Sequence, residues 1–179
     1  DIVPELAGQM GRPVRYGAGE LAGFEERARH MIAIAEEALA PVTPAPVDGF
    51  RRYVTREPLG LVLVVAPWNY PFLTAVNSVI PALLAGNAVL LKHAAQTPLV
   101  AERFQAAADR AAPPLGLFQH LFLDHAGTAR LVAGGAVDQV NFTGSVAGGR
   151  AMEIAAGGTF AGLGLELGGK DPAYVRADA

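Results

Sequence analysis

Apolar positions recur along this chain with two different spacings, and the change between them divides it. From Glu20 to Leu39 the residues Phe24, Ala28, Met31, Ile32, Ala35 and Leu39 fall at helical spacing, with Glu25, Glu26, Arg27, Arg29 and Glu36 mostly elsewhere. The pattern predicts an amphipathic helix stopped by Pro41. Pro41, Pro44 and Pro46 then read as a linker. Between Phe50 and Pro58 basic and apolar residues alternate, which predicts a half-exposed strand or edge ribbon with Arg51, Arg52 and Arg56 on a solvated face.

Beyond Gly60 the texture becomes one of short apolar runs separated by helical stretches. Strands are predicted over 61–66, 87–92, 117–123, 137–141 and 160–167. Helices are predicted over 72–84, ended by Gly86 as a C′ residue, and over 98–111, opened by Thr97 as N-cap and Pro98 at N1. Two more follow, over 128–132 and 146–156. Apolar strands alternating with helices imply an α/β fold, a doubly wound and mainly parallel Rossmann-like sheet covered on both faces, with right-handed crossovers. Ligands of such sheets lie beyond the carboxyl ends of the strands.

The turn Phe142-Thr143-Gly144-Ser145 is the focus of this half of the chain. A buried strand passing through Gly144 into a helix that starts near Val146 leaves the first N–H groups of that helix aimed at one spot. The positive end of its dipole stands behind them. This suits a phosphate, and hence a nucleotide. Gly144 allows either a close backbone approach or a positive φ, and Ser145 adds a hydroxyl donor.

Composition narrows the classes. With 179 residues, half of them hydrophobic, the chain can build one sizeable core. A net charge of −3 and a pI near 5.8 offer no basic face for nucleic acid. The absence of Cys excludes disulfides and Cys-ligated metal, and fits a reducing, cytoplasmic setting. No apolar run approaches the roughly 18 residues of a membrane span. Asp1-Ile2-Val3-Pro4-Glu5 has neither an initiating Met nor a signal-peptide pattern, and both ends look cut from something longer.

Asn69, Lys92, Ser145 and Glu166 all fall at or just past predicted strand ends, on one rim of a mostly apolar sheet. Each admits two readings. Asn69 either caps the following helix or donates its amide N–H to an oxyanion forming at a substrate carbonyl. Lys92 is either a solvated charge or a cation reaching a ribose or phosphate. Glu166, between Leu165 and Leu167, is costly to bury unless it is paired, lines a cavity or has a raised pKa, the last being what a general base requires. His30, His93, His120 and His125 lack metal-ligand spacing and read as surface or satisfied core residues.

Five motifs in order carry a resemblance: Pro67-Trp68-Asn69-Tyr70-Pro71, Gly86-Asn87 through Lys92, Gln96-Thr97-Pro98, Phe142-Thr143-Gly144-Ser145 and Glu166-Leu167-Gly168-Gly169-Lys170. Together they resemble the motif series of the aldehyde dehydrogenase superfamily over nearly all of residues 57–179. The helix before them is similar to the one preceding that family's cofactor domain. The resemblance implies a dinucleotide-binding domain over 57–179, with 1–56 as its helical lead-in and ribbon. It implies Asn69 as the oxyanion-hole amide and Glu166 as the base that activates the nucleophile and the deacylating water. Ala66, Pro67 and Trp68 would contact the cofactor, NAD or NADP, and Lys92 its adenosine ribose. Gly144, Ser145, Val146 and Gly149 would surround the pyrophosphate, and Leu167 and Gly168 would lie beside the nicotinamide.

The family's reaction is covalent: a Cys thiolate attacks an aldehyde, hydride passes to the nicotinamide, and water hydrolyses the thioester. This chain contains no Cys. In the family that residue lies a few tens of positions after Glu-Leu-Gly-Gly-Lys, so the resemblance implies an incomplete piece, inactive alone, of an enzyme expected to be a homo-oligomer. Its substrate would be a small aldehyde, with no nucleic-acid or membrane partner. Tyr70, Phe72, Thr74 and Ala75 would lie along part of the aldehyde tunnel.

Two departures stand out. Ala95 replaces a common Glu that binds ribose hydroxyls and repels a 2′-phosphate, so weaker discrimination against NADP is expected. Ser78 replaces a common Lys of the proton relay. A nucleotide-binding module without catalysis is the alternative reading, and a doubly wound protein for flavin or a sugar phosphate a more distant one.

Overall fold

A computed structural model describes residues 2–111, 114 and 116–178; Asp1 and Ala179, which bound the two predicted segments, lie outside the described residues. Five strands form one parallel sheet: β1 (Leu61–Ala66), β2 (Ala88–His93), β3 (Phe118–His120), β4 (Gln139–Gly144) and β5 (Gly162–Leu167). Their order is β3-β2-β1-β4-β5. The chain first winds outward through β2 and β3, then crosses back to place β4 on the other side of β1. The carboxyl ends of β1 and β4 therefore diverge, and a crevice opens between their loops.

Strand periodicity explains the two layers. Val62, Val64 and Ala66 of β1 face one side with Val89 and Leu91 of β2. They pack beneath α1 (Ile2–Met10), α2 (Gly17–Leu39), α3 (Pro71–Leu84) and α4 (Pro98–Ala111). Phe24, Phe72, Phe104 and Phe118 stack or meet edge to face in this layer, with ring centroids 5.6–6.3 Å apart. Leu63 and Val65 point the other way, against Val140 and residues of α5 (His125–Ala133) and α6 (Val146–Ala156), including Val132 and Met152. A central strand buried on both faces needs a continuous apolar run, and Leu61–Ala66 supplies it.

Several expectations are corrected. Residues 50–58 form no strand: the segment makes isolated bridges, Val42 with Val54 and Val47 with Phe50, and its Arg52 and Arg56 side chains donate to the Ala45 and Ala40 carbonyls. The segment pairs with no strand of the sheet, and Phe50, Tyr53 and Val54 stay exposed. The third strand shrinks to three residues, and the helix after it starts earlier, because Asp124 accepts from the Gly127 N–H at 2.6 Å and caps it. Helix α1 was not anticipated. Pro4 and Gly8 mask it in the sequence, and it is secured by fully buried Leu6 and by Gln9, whose side-chain oxygen accepts from the Leu99 N–H.

Nor is the sheet covered on both faces throughout. On the α1–α4 side β4 and β5 present Gln139 and Asn141, which hydrogen-bond each other at 2.9 Å, opposite Gly162 and Gly164. Leu163, Leu165 and Leu167 of the edge strand β5 remain partly exposed. The glycine ending α3 behaves as expected, with Gly86 at φ +84°.

Candidate functional site

The crevice beyond β1, β2, β4 and β5 is an open cleft of about 590 Å³. Asn69, Lys92, Ser145 and Glu166 all line it, with Ala66, Pro67, Trp68, Gly144, Leu167 and Gly168. Strand ends account for this gathering. Ala66 pairs with His93 across β1–β2, and Thr143 with Glu166 across β4–β5, so the loops that follow leave the sheet at one level.

Ser145 is the N-cap of α6, accepting from the Gly148 N–H at 3.1 Å. The Val146 and Ala147 N–H groups are left without an intrahelical acceptor. A second cavity of about 330 Å³ shares Val65, Lys92, His125, Phe142 and Ser145 with the cleft and runs along Ala147, Gly148 and Met152 of α6. Gly144 is not at positive φ. Its function is steric instead: a Cβ there would lie 2.8 Å from the Phe142 ring. Val146 and Gly149 do not line the cleft. Val146 is exposed, and Gly149 is buried where a Cβ would meet Leu167 at 2.5 Å, so its small size lets α6 lie on β5.

Lys92 is buried at the end of β2. Desolvation lowers its pKa below the usual lysine value, and the carboxylate of Asp124 offsets part of that effect. An anion bound in the cleft would be a better partner for this ammonium than solvent.

The next residue, His93, is a satisfied core histidine. Its Nε2–H donates to the Pro71 carbonyl at 3.1 Å, while Nδ1 accepts from the Ala94 N–H and the Thr97 hydroxyl, each at 3.1 Å. Thr97 thus serves His93. Both Nδ1 contacts require the neutral ring, and burial pushes its pKa down to about 4, with the Pro71 bond opposing and the Lys92 charge adding. Between pH 6.5 and 4 the unfolded histidine binds a proton that the folded one refuses. Stability from this group is therefore full above pH 6.5 and is lost as the pH falls toward 4, by up to roughly 3 kcal/mol. Urea unfolding at pH 7 and pH 4.5 checks this. The gap between the wild-type chain and His93→Gln is expected to narrow at the lower pH, and an unchanged gap rules the effect out.

Asn69 does not cap α3. The N-cap residue is Tyr70, which makes no side-chain capping bond. Glu166 is exposed and lines the cleft, so of the alternatives to a costly buried carboxylate it takes the one at a cavity. Phe72 and Ala75, expected along an aldehyde tunnel, lie instead inside the core. Among the described residues no group of three His, Cys, Asp or Glu is placed to hold a metal, and no helix is long and apolar enough to cross a membrane. Sequence reasoning missed Glu20 and Arg12, which meet behind the Asn69 loop.

A parallel sheet of this order with a polar-rimmed cleft at the β1/β4 divergence defines a doubly wound, Rossmann-like α/β domain. The comparisons with known proteins narrow that class. The model of the aldehyde dehydrogenase family matches residues 2–179, and this chain belongs to that family. An aldehyde dehydrogenase of Paenarthrobacter nicotinovorans is 38% identical over 182 residues, covering all of this chain and 40% of the relative. A succinate-semialdehyde dehydrogenase [NADP(+)] of Mycobacterium avium is 34% identical over all of this chain and 38% of its own length. The crystal structure of a Streptococcus pyogenes succinic semialdehyde dehydrogenase in complex with NADP+ superposes with a TM-score of 0.87, at 29% identity. It is matched over 94% of this chain and 37% of that one. The chain thus spans about 40% of the length of the curated relatives it matches.

Proposed function

We propose that residues 57–179, led in by 1–56, form the cofactor-binding part of an NAD(P)-dependent aldehyde dehydrogenase that oxidises a small aldehyde to a carboxylic acid. The observation that carries this is the convergence of Asn69, Lys92, Ser145 and Glu166 on one cleft, in a chain of this family. The residues fit a dinucleotide: the free N–H groups opening α6 and the buried Lys92 ammonium suit phosphate and ribose oxygens. When bound, the nicotinamide accepts a hydride.

The side chains would divide the work. Asn69 donates its amide N–H to the carbonyl oxygen as negative charge builds there. Glu166 takes a proton, first from the thiol nucleophile and then from the water that releases the acid. The thiol comes from outside these residues, since the chain has no Cys. Ala95 lines the cleft where a carboxylate would repel a 2′-phosphate, which supports use of NADP as well as NAD. The relatives named for NADP agree with that reading.

Calorimetric titration with NAD and NADP tests it. Residues 1–179 are expected to bind both, with a preference below about a thousandfold, roughly 4 kcal/mol. Incubated with aldehyde and NAD they are expected to form no NADH. Absence of binding to either dinucleotide overturns the cofactor assignment, and NADH formation by these residues alone overturns the division of labour.

A further inference from the structure

The loop between β1 and α3 carries Asn69, yet its N-cap residue supplies no side-chain cap to the helix that follows. Tyr70 makes no capping bond, and Pro71 at N1 has no N–H, so the first donor that helix α3 offers is the Phe72 N–H. That donor is satisfied from another element. Glu20 of α2, its carboxylate fully buried, accepts from it through Oε1 at 2.9 Å. The other carboxylate oxygen, Oε2, pairs with Nη1 of Arg12 at 3.1 Å. The second branch of the same guanidinium, Nη2, donates to the Asn69 carbonyl at 3.3 Å, and its plane sits 4.2 Å from the centre of the Tyr70 ring.

The Asn69 carbonyl, the Tyr70 ring and the Phe72 N–H are therefore all held by one ion pair, a buried Glu20 and a partly exposed Arg12, while Asn69 also lines the cleft. An ordinary N-cap at position 70 would satisfy the helix without burying a carboxylate. What the pair adds is a fixed spacing between the Asn69 and Phe72 peptides. The forked, planar guanidinium holds Glu20 and the Asn69 carbonyl in one fixed geometry, which an ammonium on a flexible stem does not pre-organise.

We propose that Arg12 and Glu20 are positioning residues that set the Asn69 amide against the developing oxyanion. The proposal rests on the reading of Asn69 as the oxyanion donor. Donors of this kind work only when placed within a fraction of an ångström, and a misplacement of about 1 Å can cost on the order of a hundredfold.

The test is a mutant cycle in the enzyme that contains this chain together with its Cys nucleophile. Arg12→Lys and Glu20→Gln are each made in the native and the Asn69→Ala backgrounds. In the native background each is expected to lower kcat by about tenfold or more with little change in the KM for NAD. In the Asn69→Ala background neither is expected to lower it further. Should Glu20→Gln fail to fold, Arg12→Lys, which keeps the charge at a partly exposed position, completes the cycle. Equal losses in both backgrounds, or full activity of Arg12→Lys beside an impaired Asn69→Ala enzyme, overturn the positioning role alone. Undiminished kcat in Asn69→Ala overturns the reading of Asn69, and the proposal with it.

Discussion

Replacing Asn69 by Ala is expected to lower kcat by about a hundred- to a thousandfold, or roughly 3 to 4 kcal/mol of transition-state stabilisation. The KM for NAD is expected to stay close to that of the parent enzyme. The size follows from what the amide would do. It lines the cleft with its side chain uncommitted to helix capping, so its N–H is available for an oxygen that becomes negative only as the tetrahedral adduct forms. An interaction made in the transition state and absent from the ground state appears in kcat, not in binding. Steady-state kinetics with saturating cofactor would check this, and a variant that loses cofactor affinity but keeps its kcat would assign Asn69 to binding instead.

The second large effect is expected at Glu166. Glu166→Gln keeps the shape of the side chain and removes its basicity, so kcat should fall by roughly a hundred- to ten-thousandfold. Glu166 is the penultimate residue of β5, beside Leu167 and Gly168, which share the cleft with Asn69, and its exposure gives solvent a path to it. A base that must accept a proton and pass it on to water benefits from such contact. Rapid mixing separates its two duties: both the first-turnover formation of NADH and the steady rate should drop. An unimpaired first turnover would confine Glu166 to deacylation, and an unimpaired steady rate would remove it from the mechanism.

Most of the scaffold could be read from local patterns. The run Leu61–Ala66 announced a buried strand and Gly86 announced a helix end, and both behave so in the structure; Ser145, read as a hydroxyl donor, instead accepts from the Gly148 N–H as an N-cap. These are properties of a residue and its near neighbours. The failures came where a distant partner decides. Alternation at 50–58 gained no partner strand from the sheet, and Ile2–Met10 folded as a helix despite Pro4 and Gly8 because a core accepted Leu6. The Arg12–Glu20 pair was invisible for the same reason. Nothing in the spacing of positions 12 and 20 points to positions 69 and 72, which lie more than fifty residues downstream.

By itself the sequence determined the class of fold, the run of motifs that places the chain among the aldehyde dehydrogenases, and which polar residues stand at strand ends. Periodicity and turn chemistry are local, so they survive without coordinates. Only the tertiary structure decided the strand order, and with it that Asn69 and Glu166 border one cleft. It also decided that Gly149 serves packing against Leu167 and does not line that cleft. Which strand pairs with which, and which side chain meets a given glycine, are settled by long-range burial and by the sharing of sheet edges.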